Sequence, residues 1–222
     1  AGHLLAHLLQ AVPAILAAFI LAIPIARLAR AARPLRAVLV TGSSLLYAIP
    51  SLALFVILPI ILATGIRDPF NVIVALTLYG LALLVPATAD ALDAVDRRVL
   101  DAATAMGMGR LRCFLTVELP LAGPAILTGL RVVTVSTISL TTVGAVLGVR
   151  SLGWLFTDGF QRGITAEIVT GLVATAALAL VLDGLVLALG RLCLPWTWKR
   201  ANAGAVPAGA CAAASNSQEG KA

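Results

Sequence analysis

Charged residues are scarce in this sequence. Only 12% of its 222 residues are Asp, Glu, Lys or Arg, whereas 60% are hydrophobic and the mean hydropathy is +1.03. A water-soluble domain carries about 25% charged residues, so this chain has too few to cover a globule in water. The composition therefore excludes an ordinary soluble domain and predicts an integral membrane protein.

Lysine, cysteine and histidine are also rare, which limits the chemistry of the chain. The only lysines are Lys199 and Lys221, so there is no G-x-x-x-x-G-K-[ST] phosphate loop, and any ATP chemistry must come from a partner. The three cysteines form no C-x-x-C pair, so we expect no disulfide framework. His3 and His7 lack a third ligand, which favours outer-surface residues over a metal site. We therefore predict no catalytic centre, cofactor or metal.

Five apolar runs are long enough to cross a hydrocarbon core of about 30 Å as helices. They cover residues 4–29, 37–63, 70–89, 121–149 and 168–189. Open strand edges cannot be satisfied in lipid, so the fold class predicted is an all-α membrane protein with about five spans. The first run ends in arginines rather than beginning with them, which favours a span over a cleavable signal peptide. Residues 1–200 then form a transmembrane domain, and residues 201–222 are predicted to be a disordered cytoplasmic tail.

The basic residues give the spans a direction. Lys and Arg outnumber Asp and Glu by 16 to 10. Three of the sixteen fall in loops on one side, Arg131 lies within the fourth run, and the other twelve lie on the opposite side. Those twelve are Arg27, Arg30, Arg33, Arg36, Arg97, Arg98, Arg110, Arg112, Arg191, Lys199, Arg200 and Lys221. The positive-inside rule places these twelve in the cytoplasm and the N-terminus outside. The basic excess thus indicates membrane topology and not binding of nucleic acid.

The long loop of residues 97–120 reads as helix, break, helix. Gly107 and Gly109 permit a sharp turn between two stretches of helix formers, and Pro120 fits the start of the next span. The apolar side chains expected to fill a partner's groove are Met106, Met108, Leu111 and Phe114, beside the small residues Ala102, Ala103 and Ala105. The acidic run Asp90, Asp93 and Asp96, just before the loop, is expected to be solvated at the membrane surface.

This loop carries a specific resemblance. From Asp101 to Pro120 it reads D-A-A-x3-G-x9-V-x-L-P. It resembles the EAA loop, E-A-A-x3-G-x9-I-x-L-P, of permease subunits of binding-protein-dependent ABC importers, with Asp101 for Glu and Val117 for Ile. The resemblance implies a type I importer permease fold and a loop held by an ATPase subunit. The residues it assigns to that contact are Asp101, Ala102, Ala103, Met106, Gly107, Met108, Arg110, Leu119 and Pro120.

Other segments resemble permeases of the osmoprotectant type. They are residues 48–54, which read A-I-P-S-L-A-L, then 129–131, G-L-R, and 147–153, L-G-V-R-S-L-G. The resemblance covers residues 4–191 and implies a permease subunit importing glycine betaine, choline, carnitine or proline. It also implies three protein partners: a cytoplasmic ATPase that binds ATP and Mg²⁺, a second permease that is identical or homologous, and an extracytoplasmic binding protein. The location implied is the prokaryotic plasma membrane.

Polar residues within the spans are candidates for the solute path. Tyr47, Pro50 and Ser51 stand where a proline breaks the second run. On the fourth run, Thr134, Thr137 and Thr141 share one helical face, where they either pack against neighbouring helices or contact solute.

Two charges fall within the spans. Arg131 and Asp183 both lie about 10–14 Å from the inner boundary, at 1.5 Å per helical residue. Because an unpaired charge at that depth is costly, an ion pair is one expectation; separate extension of each side chain to the interface is the other.

Three alternative functions remain. One is an importer permease for another small solute, such as an amino acid. The second is a stand-alone ion-coupled carrier, which would need an acidic residue at mid-membrane and an internal repeat; Asp183 lies off-centre, and five spans do not divide into equal halves. The third is a membrane enzyme or a structural anchor, although no nucleophile–base pair is visible.

Overall fold

The computed structural model describes residues 2–31 and 33–195, and the described part contains helices and turns with no strand. Its helices are α1 (Gly2–Ala31), α2 (Arg33–Ala48), α3 (Ser51–Leu62), α4 (Pro69–Asp93), α5 (Arg97–Ala105), α6 (Arg110–Cys113), α7 (Leu119–Val143), α8 (Trp154–Arg162) and α9 (Thr165–Cys193). A π-helical turn, Phe114–Glu118, precedes α7, and a 3-10 turn, Gly144–Leu147, follows it. The predicted all-α fold class is confirmed. The predicted tail at 201–222 lies outside the described residues.

Four of the described helices or helical runs are long and apolar enough to cross a membrane. They are α1, α4, α9 and the continuous run Arg110–Leu147 that contains α7. These spans coincide with the apolar runs predicted at 4–29, 70–89, 121–149 and 168–189.

The second predicted span differs from the other four. Residues 37–63 form not one helix but two, α2 and α3, which meet at an angle of 105°. The break falls at Ile49 and Pro50, because proline has no N–H to continue the helix and disfavours helical backbone in the residue before it. The bent pair counts as a fifth span if it is taken as one element.

Helix α1 packs closely on α4 through small side chains. Ala11, Ala14, Ala18, Ala22, Ala26 and Ala29 form a stripe along α1 that is fully buried. A Cβ atom placed on Gly80 of α4 would lie 2.6 Å from the Cβ of Ala18, closer than two carbons can approach. Small residues allow helices in a membrane to pack with short axial separation, where dispersion contacts supply the attraction. Because the stripe runs almost the length of α1, we expect the two helices to behave as one packed unit.

Helix α4 is the centre of the bundle. Three groups of buried apolar side chains succeed one another along it, at Leu76, at Leu84 and at Leu92. Helix α9, by contrast, exposes most of its apolar surface, including Leu180 and Leu192. Its exposed face is available to lipid or to another helical chain.

Candidate functional site

The α5–α6 loop, residues 97–118, lies where α1 and α4 end, here called the loop end of the bundle. Helix α5 begins after Asp96, whose carboxylate accepts a hydrogen bond of 2.9 Å from the backbone N–H of Arg98. Asp96 is therefore the N-cap of α5.

The turn between α5 and α6 depends on one glycine. Gly107 has φ of +82°, in the left-handed region, and the N–H of Met108 returns to the carbonyl of Ala103 at 3.2 Å. Gly109 has φ of −66° and ψ of 155°, extended backbone that any residue adopts. Of the two glycines expected to permit a sharp turn, only Gly107 therefore has a backbone conformation that favours glycine.

One side of the loop is exposed. Met106 is 71% exposed at the tip, and Asp101, Ala102, Arg110 and Leu111 are exposed with it. Of the other residues assigned to an ATPase contact, Gly107 is exposed, whereas Met108, Leu119 and Pro120 are half-buried. The exposed residues combine apolar side chains with one acidic and one basic group, a mixture suited to a protein partner.

The other side of the loop packs onto the bundle. Ala103 is 2% exposed and Phe114 is 5% exposed, so neither is available to a partner, and the prediction for these two is wrong. The guanidinium carbon of Arg27 lies 4.1 Å from the centroid of the Phe114 ring, a cation–π contact between α1 and the loop. The π-helical turn, closed by a bond from the N–H of Leu119 to the carbonyl of Phe114, carries this ring.

Beside Phe114 lies a group of five charged residues, here called the loop-end ion cluster: Arg30, Arg36, Asp90, Asp93 and Glu118. Arg30 contacts Asp93 through Nε at 2.8 Å and Glu118 through Nη1. Arg36 of α2 contacts Asp93 at 2.7 Å and Asp90 at 3.3 Å. Asp90 and Asp93 are exposed, as expected for solvated residues, but the sequence did not indicate that they also pair with arginines. The arginines that pair with them lie more than 50 residues away in the chain, where periodicity gives no signal.

Arg131 and Asp183 meet between α7 and α9. Nε of Arg131 donates to Oδ1 of Asp183 at 2.8 Å, and Nη2 donates to Oδ2 at 2.7 Å. Two parallel bonds between a guanidinium and a carboxylate fix both position and orientation, which a single contact does not. Of the two expectations from the sequence, the structure has the ion pair.

The three threonines of α7 are buried. The hydroxyl of Thr134 donates to the carbonyl of Leu130, and that of Thr141 donates to the carbonyl of Thr137. These two hydroxyls make hydrogen bonds within their own helix, and all three side chains face other helices rather than an open channel. Their positions favour packing over contact with solute.

The break between α2 and α3 has a partner that the sequence did not indicate. The hydroxyl of Tyr79, on α4, donates to the carbonyl of Ile49 at 2.7 Å. The rings of Tyr79 and Tyr47 lie edge to face with centroids 6.1 Å apart. Tyr47 is exposed and Ser51 is half-buried, next to the exposed Pro50. A tyrosine in an apolar span needs a partner for its hydroxyl, and that rule was the available signal for Tyr79.

At the opposite end of the bundle, α1 contacts the segment before α8. Nε2 of Gln10 donates to the carbonyl of Arg150 at 2.8 Å, and Nδ1 of His7 accepts from the N–H of Leu152 at 3.4 Å. His7 is fully buried, so the prediction of a surface residue is wrong for it, although His3 is exposed. In the part of the chain that the structure describes, no group of His, Cys, Asp and Glu is arranged to hold a metal ion.

An apolar cavity of about 350 Å³ lies between α1, α7 and α9. Leu16 and Ile23 of α1, Leu127 of α7 and Val186 of α9 contribute to its wall. A cavity with so few polar groups suits hydrocarbon and offers nothing to orient a polar solute.

Comparisons with known proteins agree with this geometry. Residues 14–198 match the family of binding-protein-dependent transport system inner membrane components. The chain is 30% identical over 197 residues to the glycine betaine/carnitine/choline transport system permease protein OpuCD of Bacillus subtilis, covering 88% of this chain and 85% of the relative. It is 34% identical over 148 residues to the ergothioneine transport permease/ergothioneine binding protein EgtU of Helicobacter pylori, covering 67% of this chain and 26% of that protein.

The fold is also found among solved structures. A chain of the inward-facing MetNI methionine ABC transporter superimposes with a TM-score of 0.73 at 19% identity, covering 86% of this chain and 94% of that one. At this identity the likeness concerns the fold, which is that of a type I ABC importer permease. The match over residues 14–198 shows that this chain belongs to the family of inner membrane components of binding-protein-dependent transport systems.

Proposed function

We propose that this chain is the permease subunit of an ATP-driven importer for small osmoprotectants such as glycine betaine, choline, carnitine or proline. The observation that carries the proposal is the α5–α6 loop, which contains the EAA pattern and exposes Asp101, Ala102 and Gly107 of it at one end of the bundle. Two relatives align with this chain over about 85% of their own length. One is a glycine betaine/carnitine/choline permease, and the other is a choline permease. These names support the class of solute.

The exposed side of the loop would be the contact for a separate ATPase. Met106 and Leu111 offer apolar side chains to a groove, while Asp101 and Arg110 can pair with charges on its rim. The chain itself has no phosphate loop, so the partner binds ATP and Mg²⁺ and performs the hydrolysis. What this chain contributes is a surface that moves when the partner closes on ATP, joined to spans that move with it.

The proposed location is the prokaryotic plasma membrane, with the loop end in the cytoplasm. The basic residues at that end, among them Arg97, Arg98, Arg110 and Arg112, support this orientation. It places the N-terminus outside and the C-terminus inside. The opposite end of the bundle then faces an extracytoplasmic binding protein that delivers the solute.

A second permease, identical or homologous, would complete the path. Apolar side chains pack along α4, and the cavity between α1, α7 and α9 is itself apolar, so a path for a polar solute needs a wall from another chain. The bent pair α2–α3 would line it, with Tyr47, Pro50 and Ser51 as the residues in reach of solute. An exposed tyrosine beside a helix break supplies a hydroxyl and an aromatic edge at membrane depth, where most neighbours are apolar.

Uptake into proteoliposomes tests this function. The permease would be purified with the ATPase that accompanies it, reconstituted, and supplied with the binding protein and labelled glycine betaine, choline, carnitine or proline. Methionine and ergothioneine are included as further solutes, because a solved structure of this fold is a methionine transporter and one relative is an ergothioneine transport permease. We expect ATP-dependent uptake of at least one osmoprotectant. Uptake confined to methionine would show an amino acid importer, and uptake driven by an ion gradient without the ATPase would show a stand-alone carrier.

A further inference from the structure

The α5–α6 loop is joined covalently to two of the spans and not to α1. It follows α4 through residues 94–96, and it continues into α7 at Leu119. Any movement of the loop therefore reaches α4 and α7 along the backbone. Helix α1 ends at Ala31, more than 60 residues earlier, and can follow the loop only through side-chain contacts with the loop itself or through its packing on α4.

Two matched pairs of residues make those contacts. Phe114 and Glu118 are four residues apart on the π-helical turn, and Arg27 and Arg30 are three apart on α1, so each pair shares a helical face. The guanidinium of Arg27 covers the ring of Phe114, and the guanidinium of Arg30 contacts the carboxylate of Glu118. The Arg27–Phe114 and Arg30–Glu118 contacts therefore join α1 to the same face of the loop.

Arg30 also reaches α4. Its Nε contacts Asp93 while its Nη1 contacts Glu118, so one planar group holds the end of α4 and the end of the loop together. A lysine has a single nitrogen and could not hold both positions in this geometry. The Glu118 side chain is only 12% exposed and that of Arg30 27%, so the pair is more shielded than the Arg162–Asp158 pair, whose arginine is 61% exposed.

The charged residues Arg30, Asp93 and Glu118 lie next to a group of buried apolar side chains. Phe114 packs in one buried group with Ala26 of α1, Leu92 of α4 and Ile126 of α7. Above this group the alanine stripe of α1 lies against α4 toward the opposite end of the bundle. A displacement applied to Arg30 therefore acts on a close-packed helix pair, which transmits strain instead of absorbing it.

We infer that Arg30 is the positioning residue that attaches α1 to the α5–α6 loop. Movement that the ATPase imposes on the loop is then carried into α1 as well as into α4 and α7. Arg27 supports it from the neighbouring turn. The inference rests on the proposed function, because it assumes that an ATPase moves this loop. It adds a role for the side of the loop opposite to the ATPase surface.

The test compares solute transported per ATP hydrolysed in the reconstituted complex, for the variants R30Q, R30K and E118Q. Loss of the attachment leaves the ATPase on the loop but weakens the transmission of its cycle to α1, which then follows the loop only through its packing on α4. The expected result is a transport-to-hydrolysis ratio that falls about fivefold or more in R30Q and E118Q and by less in R30K, which keeps the charge. The control is D158N, which removes an exposed ion pair on α8 and leaves the ratio at the wild-type value.

An equal fall of transport and hydrolysis in all three variants, or a wild-type ratio in all of them, would overturn the inference. If R30Q does not assemble with the ATPase, E118Q and R30K decide, because each keeps part of the cluster. A ratio below wild type in those two supports the attachment, and a wild-type ratio in both refutes it.

A second readout does not depend on the solute. The variant L16C would carry an environment-sensitive fluorophore on the wall of the apolar cavity. The substitutions C113A, C193A and C211A would remove the three native cysteines. We expect trapping with ATP and vanadate to change its emission more in the wild type than in R30Q, because α7, which also lines the cavity, follows the loop in both proteins. If no offered osmoprotectant is transported, the proposed function fails, but this fluorescence comparison still decides the inference. The same change in both proteins would contradict it.

Discussion

Arg131 and Asp183 form a two-bond ion pair that joins α7 to α9, with donor–acceptor distances of 2.8 and 2.7 Å. Helix α9 is otherwise the most loosely held of the long spans, since most of its apolar side chains are exposed. The pair therefore supplies a directional contact between α7, which continues from the α5–α6 loop, and α9.

The first prediction concerns this pair. The variants R131Q and D183N each leave a charge without its partner at membrane depth, so we expect solute uptake to fall about tenfold in either one. The double variant R131D/D183R restores opposite charges, and we expect it to recover most of the uptake. Expression and assembly would be measured alongside. A double variant no better than either single one would refute the idea that the two side chains act as a pair.

The second prediction separates the two glycines of the loop. Gly107 has positive φ, so G107A forces a side chain into the left-handed region, at a cost of about 1–2 kcal/mol. Gly109 has ordinary extended backbone, and nothing lies within 4 Å of an added Cβ. We expect G109A to be neutral or stabilising by about 0.4–1 kcal/mol, because alanine has less conformational freedom in the unfolded chain. Thermal unfolding of the two variants in detergent measures the difference, and equal melting temperatures would contradict it.

The third prediction concerns the break between α2 and α3. Y79F removes the hydroxyl that donates to the carbonyl of the exposed Ile49, and the loss of one such hydrogen bond costs about 0.5–1.5 kcal/mol. Y47F is the matched control, since it deletes the same atom from the ring that packs against Tyr79; we expect it to change stability by less than about 0.5 kcal/mol. Chemical denaturation in detergent measures both. A loss in Y47F as large as that in Y79F would argue against a specific role for the Tyr79–Ile49 hydrogen bond.

The fourth prediction concerns the contact between α1 and α4. G80A places a methyl group 2.6 Å from the Cβ of Ala18, so the helices must separate, at a cost of about 1–3 kcal/mol. G184A makes the same change on α9, where nothing lies within 4 Å, and the better helix propensity of alanine should stabilise it by up to about 1 kcal/mol. The sign of the two changes in melting temperature should therefore differ. A neutral G80A would show that α1 and α4 are not closely packed.

The long spans were predictable because twenty or more apolar residues have few other uses, and the hydropathy alone located α1, α4, α7 and α9. Pro50 indicates a break, but the local sequence gives neither the angle of 105° nor the hydrogen bond that Tyr79 of α4 makes beside it. The segment between the fourth and fifth apolar runs contains a helix, Trp154–Arg162, that hydropathy alone does not indicate.

Residues that meet across long sequence separations were the least predictable part of the site. Arg131 and Asp183 were pairable because two rare charges at similar depth have few other partners. The loop-end ion cluster was missed because many charges crowd that end, and nothing local selects Arg30 for Glu118 and Asp93. For His7 and Phe114, burial depends on neighbours from other helices, so an exposed position was the wrong expectation for both.

In the proposed importer, the exposed side of the α5–α6 loop binds the ATPase. The most direct measurement places a photo-crosslinking amino acid at Met106, 71% exposed on the loop, or at Phe160, 81% exposed on α8 at the opposite end. After irradiation of intact cells, adducts would be identified by mass spectrometry. We predict that Met106 captures a cytoplasmic ABC ATPase and that Phe160 does not. Absence of an ATPase adduct at Met106, or an equal yield of ATPase adducts at both positions, would show that the exposed side of the loop does not bind the ATPase.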